Sequence, residues 1–425
     1  MLADTNTATV LPQVLLALAA VIVVGRLLGM FLSRLGQPAV IGQVIAGIAL
    51  GPSLLGWLCR PWTGTTDSPL LPAEVEPALS LVAQLGVILY MFLIGVEFNA
   101  AVFRKLARSA AIVSAASIIV PFACGIGLAL VLHAKLAPPS TPMLSFALFV
   151  GVALAITAFP VLARILTDRG MAQTDIGILA LSCAAIADVK AWWLLAVVAG
   201  VVRSQVAGAL VVVALSIAYI AVMLLVVRPL MAWLILRSGE RMPSPAALGM
   251  VVAGLLLSAL ATESIGIHAL FGAFLFGVII PHDSALAKKL GGGMQELVTM
   301  LLLPAFFAYT GMRTQIGLIS GWENWLICGL IIVVASLGKF GGTLAAARFA
   351  GLDWRTGSAL GVLMNTRGLM ELIVLNIGLD LGVISPIMFA MLVIMALVTT
   401  MATTPLLALL APQTAHQSSA AAETR

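Results

Sequence analysis

A few ionisable side chains stand in stretches that are otherwise apolar. The bases are Lys190, Lys339 and Arg367, and the acids are Glu97, Asp188, Glu263 and Glu371. A charge at the centre of a bilayer costs about 2.5–3.5 kcal/mol on insertion scales, so such a group normally faces a cavity or a partner. Arg367 and Glu371 are four apart and share one helix face. They read either as a structural ion pair or as part of a polar pathway. Asp188 lies near the middle of its apolar run. A carboxylate in a water-filled cavity can hold a proton or a small cation, but not both. Lys190 follows it in "AAIADVKAWWLLAVV", Ala184 to Val198. At 3.6 residues per turn, Asp188 and Lys190 are about 200° apart and do not face each other. Ala187 and Lys190, three apart, do share a face.

The elements that hold these residues follow from composition. The chain has 425 residues, of which 62% are hydrophobic and 9% charged. Soluble domains carry about 25% charged residues, so most of this chain lies in lipid. The net charge of +5 is therefore no sign of a nucleic-acid partner. Basic residues in a membrane protein gather in cytoplasmic loops and set orientation. Cys59, Cys124, Cys183 and Cys328 form no C-x-x-C pair, and the four His show no ligand spacing. No disulfide frame, resident metal or cofactor is expected.

A span needs about 20 apolar residues, which gives roughly thirteen spans. They fall near 9–34, 37–50, 77–97, 108–133, 143–167, 174–201, 206–236, 245–263, 266–280, 294–310, 324–350, 355–378 and 385–411. The second, ninth and tenth are short. With the N-terminus outside, the cytoplasmic side collects Arg34, Arg104, Lys105, Arg108, Arg164, Arg169, Arg228, Arg237, Arg241, Lys288, Lys289, Arg348, Arg355 and Arg425. The outside receives Arg60, Lys135, Arg203 and Arg313. That asymmetry predicts a C-terminus inside. No basic n-region precedes Arg26, so the first run reads as a retained helix. Residues 1–411 read as the transmembrane domain and 412–425 as a short polar, disordered cytoplasmic tail. The longest loop, Gly51 to Pro77, reads as an irregular lid.

Two spans are built to break. "GVALAITAFPVLARIL" carries Pro160, which removes an amide donor and clashes with the preceding turn. "GSALGVLMNTRGLMELIVLNIG" carries Asn365, Thr366 and Gly368 at its centre. Irregular backbone at that depth persists only where it lines a cavity or is buried in protein. The broken spans occupy corresponding places. Spans four to six and eleven to thirteen read as inverted equivalents, a pattern that points to a midplane site. Lys339 lies near the middle of span eleven and Asp188 near the middle of span six. One acid and one base thus share a depth beside two crossed broken helices.

"AITAFPVLARIL", "DVKAW", "GKFGG" and "MNTRGLMELIVLNIG" together resemble the monovalent cation:proton antiporter-2 family, and most of all its cation/proton exchanger branch. The resemblance runs nearly the whole length. It implies an all-α polytopic membrane protein with the sodium/proton antiporter fold. It also implies a homodimer with a scaffold part and a six-helix core that moves like an elevator. By that likeness Asp188 binds the cation and the proton alternately. Thr157 and its unwound neighbours help to coordinate, and Lys339 pairs with the aspartate. Asn365, Thr366, Arg367 and Glu371 match the second broken helix and are candidate modulators.

The chain departs from the family pattern at two positions. The family usually has Asn-Asp or Asp-Asp where this chain has Ala187-Asp188, and a small or apolar residue where it has Lys190. Lys190 reads either as a charge that weakens the cation site by repulsion or as a lysine paired with Glu371 or another acid away from the pathway. The expected function is exchange of Na⁺ or K⁺ for H⁺ across the plasma (inner) membrane, with the ion held only transiently at Asp188. The alternative is an antiporter fold repurposed as a membrane-embedded enzyme, a sensor or an exporter of another solute. No nucleophile–base motif or phosphate loop appears, so a soluble-type enzyme is not expected. Nor is regulation by a nucleotide-binding module within this chain.

Overall fold

The computed structural model describes residues 7–63, 68, 70, 72–97, 108–172, 174–203, 206–238, 244–281 and 284–410. The expected tail at 412–425 lies outside them, as do Arg104, Lys105 and Arg241. Among the described residues every regular element is a helix. In chain order they are α1 (Thr7–Arg34), α2 (Ala39–Leu50), α3 (Trp57–Thr63), α4 (Glu76–Glu97), α5 (Arg108–Leu136) and α6 (Met143–Ala155). There follow α7 (Phe159–Asp168), α8 (Asp175–Arg203), α9 (Val206–Val222), α10 (Arg228–Ser238), α11 (Pro245–Ile265) and α12 (Ala269–Ile279). The last are α13 (Ala285–Leu297), α14 (Leu303–Arg313), α15 (Trp322–Phe349), α16 (Trp354–Met364), α17 (Leu369–Asp380) and α18 (Pro386–Leu410).

Among the described residues, eleven helical stretches are long and apolar enough to cross a membrane, or up to twelve with the bent pair α16–α17 counted as one. The short apolar helix α12 stands where the ninth expected span was. Two boundaries differ from the sequence reading. The second span does not stop at Leu50 but runs on through a π-helical turn, Pro52–Gly56, into α3. Pro52 opens that turn, where its missing N–H costs little, so it is no stop signal. The expected lid therefore begins as helix. The tenth span starts at Ala285 because the helix continues through Gly291, Gly292 and Gly293. Ser284 caps its start by accepting from the Ala287 N–H at 3.1 Å.

The chain divides into two compact units. The first comprises Met1–Leu28, Gln43–Ala101 and Trp192–Gln315. Its helices approach through small residues. A Cβ on Gly47 would meet the Phe307 carbonyl, and one on Gly95 would meet the Phe274 carbonyl. Where lipid outside is as apolar as the helix, such close backbone contact is what holds helices together.

The second unit comprises Gly29–Gly42, Val102–Ala191 and Ile316–Arg425. It contains the order long helix, broken helix, long helix twice: α5, α6/α7, α8 as far as Ala191, and then α15, α16/α17, α18. Gly338 of α15 lies against Pro121 and Cys124 of α5, and Gly342 against Val120. The broken helices are the interior of this unit. Phe146, Phe149 and Leu154 of α6, Leu360 and Leu363 of α16, and Leu375 of α17 are fully enclosed.

Candidate functional site

The two breaks meet. α6 ends at Ala155, Ile156 to Ala158 run extended, and α7 starts at Phe159 with Pro160 in its first turn. α16 ends at Met364, and α17 starts at Leu369 after a bend of 46°. The Ala158 N–H donates to the Thr366 carbonyl at 3.0 Å, and the Thr157 hydroxyl donates to the Met364 carbonyl at 3.1 Å. Each break thus supplies partners for backbone groups that the other leaves open. Gly368 permits the approach, since a Cβ there would lie 2.7 Å from Val161 Cγ2.

The α6 C-terminus carries three carbonyls without helical partners, and two cations take them. Arg367 donates from Nη1 to Ala153 O at 2.8 Å and from Nη2 to Leu154 O at 2.7 Å. Lys339 Nζ donates to Ala155 O, and to Ser117 O of α5 at 2.8 Å. The carbonyl end of a helix bears roughly half a negative charge, which is why two buried cations are tolerated there. Arg367 and Lys339 are both 0% exposed. Arg367 also forms an ion pair with Glu371 at 2.7 Å, with both side chains fully buried. The spacing read from the sequence is therefore a real bond. Thr400 of α18 seals the second break, accepting from the Arg367 N–H at 2.8 Å and donating to the Arg367 carbonyl at 2.7 Å.

Asp188 is buried on α8, and neither of its carboxylate oxygens has a hydrogen-bond partner. The Phe159 N–H, at the start of α7, lies within electrostatic reach without hydrogen-bond geometry. The carboxylate thus faces the positive end of a half-helix. Lys339 also acts on Asp188 through space. Among the described residues the two form no ion pair, because the Lys339 ammonium is spent on carbonyls. Lys190 does not pair with Glu371, which is held by Arg367. The Lys190 ammonium is half-buried and reaches Ser114 Oγ of α5 at 3.4 Å.

Of the residues picked out by sequence, Asp188, Thr157, Lys339, Thr366, Arg367 and Glu371 gather around the two breaks. Asn365 is there too, with a buried and unpartnered Oδ1. Three residues that sequence reasoning missed are Ser114, Ser117 and Thr400. The signal for Thr400 was legible: "TTMATT" places hydroxyls inside an apolar span, about as far from its helix start as Asp188 is from its own. Among the described residues, no three His, Cys, Asp or Glu side chains group as a resident metal would need.

Two half-helix breaks crossing inside a bundle of apolar spans, beside a buried and unpartnered carboxylate, define a multi-pass membrane protein of the secondary-transporter class. The chain belongs to the sodium/hydrogen exchanger, transmembrane family, which matches residues 14–410. It is similar to the Na(+)/H(+) antiporter NhaS4 of Synechocystis, at 42% identity over 97% of this chain and 100% of that protein. It is also similar to Cation/H(+) antiporter 19 of Arabidopsis thaliana, at 38% identity over 94% of this chain and 50% of that protein. K(+)/H(+) antiporter 1 of Saccharomyces cerevisiae is 32% identical over 96% of this chain and 47% of its own length. The chain thus spans about half the length of these plant and yeast relatives. In fold it matches the sodium proton antiporter MjNhaP1 of Methanocaldococcus jannaschii, with a TM-score of 0.68 over 93% of this chain and 96% of that one. Sequence identity there is 14%, so that likeness concerns fold alone.

Proposed function

We propose that the chain exchanges a monovalent cation, Na⁺ or K⁺, for H⁺, with Asp188 as the alternating site. The observation that carries this reading is the Asp188 carboxylate, enclosed with both oxygens unpartnered beside a break in a membrane helix. A buried carboxylate without a donor is costly as a bare anion, so it takes up a proton or a cation. Thr157 Oγ1 has its hydrogen committed to the Met364 carbonyl, which leaves its lone pairs free for a cation. The extended backbone at 156–158 offers further oxygens. Residues 1–411 form the transporting domain in this reading. It operates as a homodimer in the plasma (inner) membrane, with the N-terminus outside and the C-terminus cytoplasmic. The antiporter relatives from a cyanobacterium, a plant and a yeast support the exchange.

The test uses purified protein in liposomes carrying a trapped pH-sensitive dye. Under an imposed pH gradient, added Na⁺ or K⁺ should move protons in wild type. In Asp188→Asn, which keeps the volume and removes the charge, it should not. Full proton movement in a folded Asp188→Asn protein refutes the assignment.

A further inference from the structure

Of the cations Lys190, Lys339 and Arg367, only Lys190 takes no part in capping the end of α6. Its ammonium is half-buried and forms no ion pair among the described residues. It reaches Ser114 Oγ at 3.4 Å, long for a hydrogen bond and so a loose tether. Ser114 is fully buried, and its carbonyl accepts from Ser117 Oγ at 3.0 Å. The Ser117 carbonyl in turn holds Lys339 at 2.8 Å. That turn of α5 therefore fixes two positive charges, one from α8 and one from α15. Cys183, two helical turns earlier on α8, is the other ionisable neighbour of Lys190. Around Lys339 stand Asp188, Arg367 and Glu371.

The side chains of Asp188 and Lys190 leave α8 on nearly opposite sides, which separates their charges by roughly 10 Å, a helix diameter. At that range Lys190 cannot neutralise Asp188, but its field reaches any ion that arrives there. We propose that Lys190 is a tethered charge filter, a specificity-determining residue that keeps divalent cations off Asp188 while admitting monovalent ones. The proposal rests on Asp188 being the exchange site. The physical basis is that repulsion scales with the charge of the arriving ion. Whatever factor Lys190 imposes on a monovalent ion, it imposes the square of that factor on a divalent ion. A unit charge about 10 Å away, in a dielectric between that of protein and water, raises a monovalent KM about threefold and a divalent inhibition constant about ninefold.

The test measures cation-driven proton flux in liposomes for wild type, Lys190→Met and Lys190→Arg, with Mg²⁺ added as a competitor. Lys190→Met keeps the aliphatic stem and loses the charge. The monovalent KM should fall about threefold and the Mg²⁺ inhibition constant about ninefold, with kcat within twofold of wild type. Lys190→Arg should restore both constants. Ser114→Ala, which frees the tether, should move both in the same direction by less. Equal fold-changes for Mg²⁺ and the monovalent ion would mean Lys190 only shapes the site, and would overturn the filter. Unchanged constants in Lys190→Met overturn it as well. Flux in wild type that persists in Asp188→Asn overturns the reading beneath it and the filter together. Should Lys190→Met fail to fold, Lys190→Gln provides the same comparison.

Discussion

Arg367→Met tests whether a buried guanidinium, rather than apolar packing alone, holds the two breaks together. The side chain donates to Ala153 O, Leu154 O and Glu371 Oε2, all within 2.8 Å, and is itself fully enclosed. Removing it leaves the buried Glu371 carboxyl without its ion-pair partner, which costs about 3–5 kcal/mol. Each of the two carbonyls loses a charged donor worth about 1.5–3 kcal/mol. The total approaches the whole net stability of a domain, about 5–15 kcal/mol. Glu371→Met alone should cost less, because Arg367 keeps both carbonyls. In Arg367→Met/Glu371→Met the stranded carboxylate is gone, so the double variant should be more stable than Arg367→Met by about 1–3 kcal/mol. Heating in detergent, followed by size-exclusion chromatography to quantify folded protein, orders the four proteins. Wild type should melt highest, then Glu371→Met, then the double variant, then Arg367→Met. If Arg367→Met melts with Glu371→Met, or the double variant melts lowest, the guanidinium does not hold the two breaks together.

Lys339 should act first as a donor to carbonyls. Lys339→Gln, which keeps N–H groups, should melt well above Lys339→Ala, and equal melting temperatures would return Lys339 to the role of a simple counter-charge. At the start of α16, Asp353 accepts from the Arg355 and Thr356 N–H groups at 3.0 and 3.1 Å. Hydrogen bonds from Thr356, side chain first and then backbone, hold its carboxyl below the usual carboxylate range. The stabilisation is complete above that range and lost as pH falls through the lowered value. The protection factors of the amides at residues 354–357, corrected for intrinsic exchange, should therefore fall in acid for wild type but not for Asp353→Asn, and identical acid profiles would refute this.

The helices of span length were legible from the sequence because apolar run length is a local property. An apolar run of span length is a helix in a bilayer whatever its neighbours, since only its own carbonyls can satisfy its amides. The breaks were legible for a similar reason: Pro160 and the Asn365–Gly368 stretch disturb helix locally. The spacing of Arg367 and Glu371 placed them on one face before any packing was known. Tertiary structure alone decided where Lys339 and Arg367 spend their charges. Sequence logic assigned Lys339 to the nearest acid at the same depth, yet it caps the end of α6. The two carbonyls that Arg367 caps lie more than 200 positions away along the chain. Which carbonyls a cation can reach depends on how two broken helices cross, and that crossing is set by contacts such as Gly368 against Val161. The same holds for Lys190, which the helical wheel turned away from Asp188, although only the fold shows Ser114 waiting for it. Local preference fixes elements and interruptions; the destination of a buried charge is a property of the packed whole, because it goes to whichever acceptors packing leaves unsatisfied.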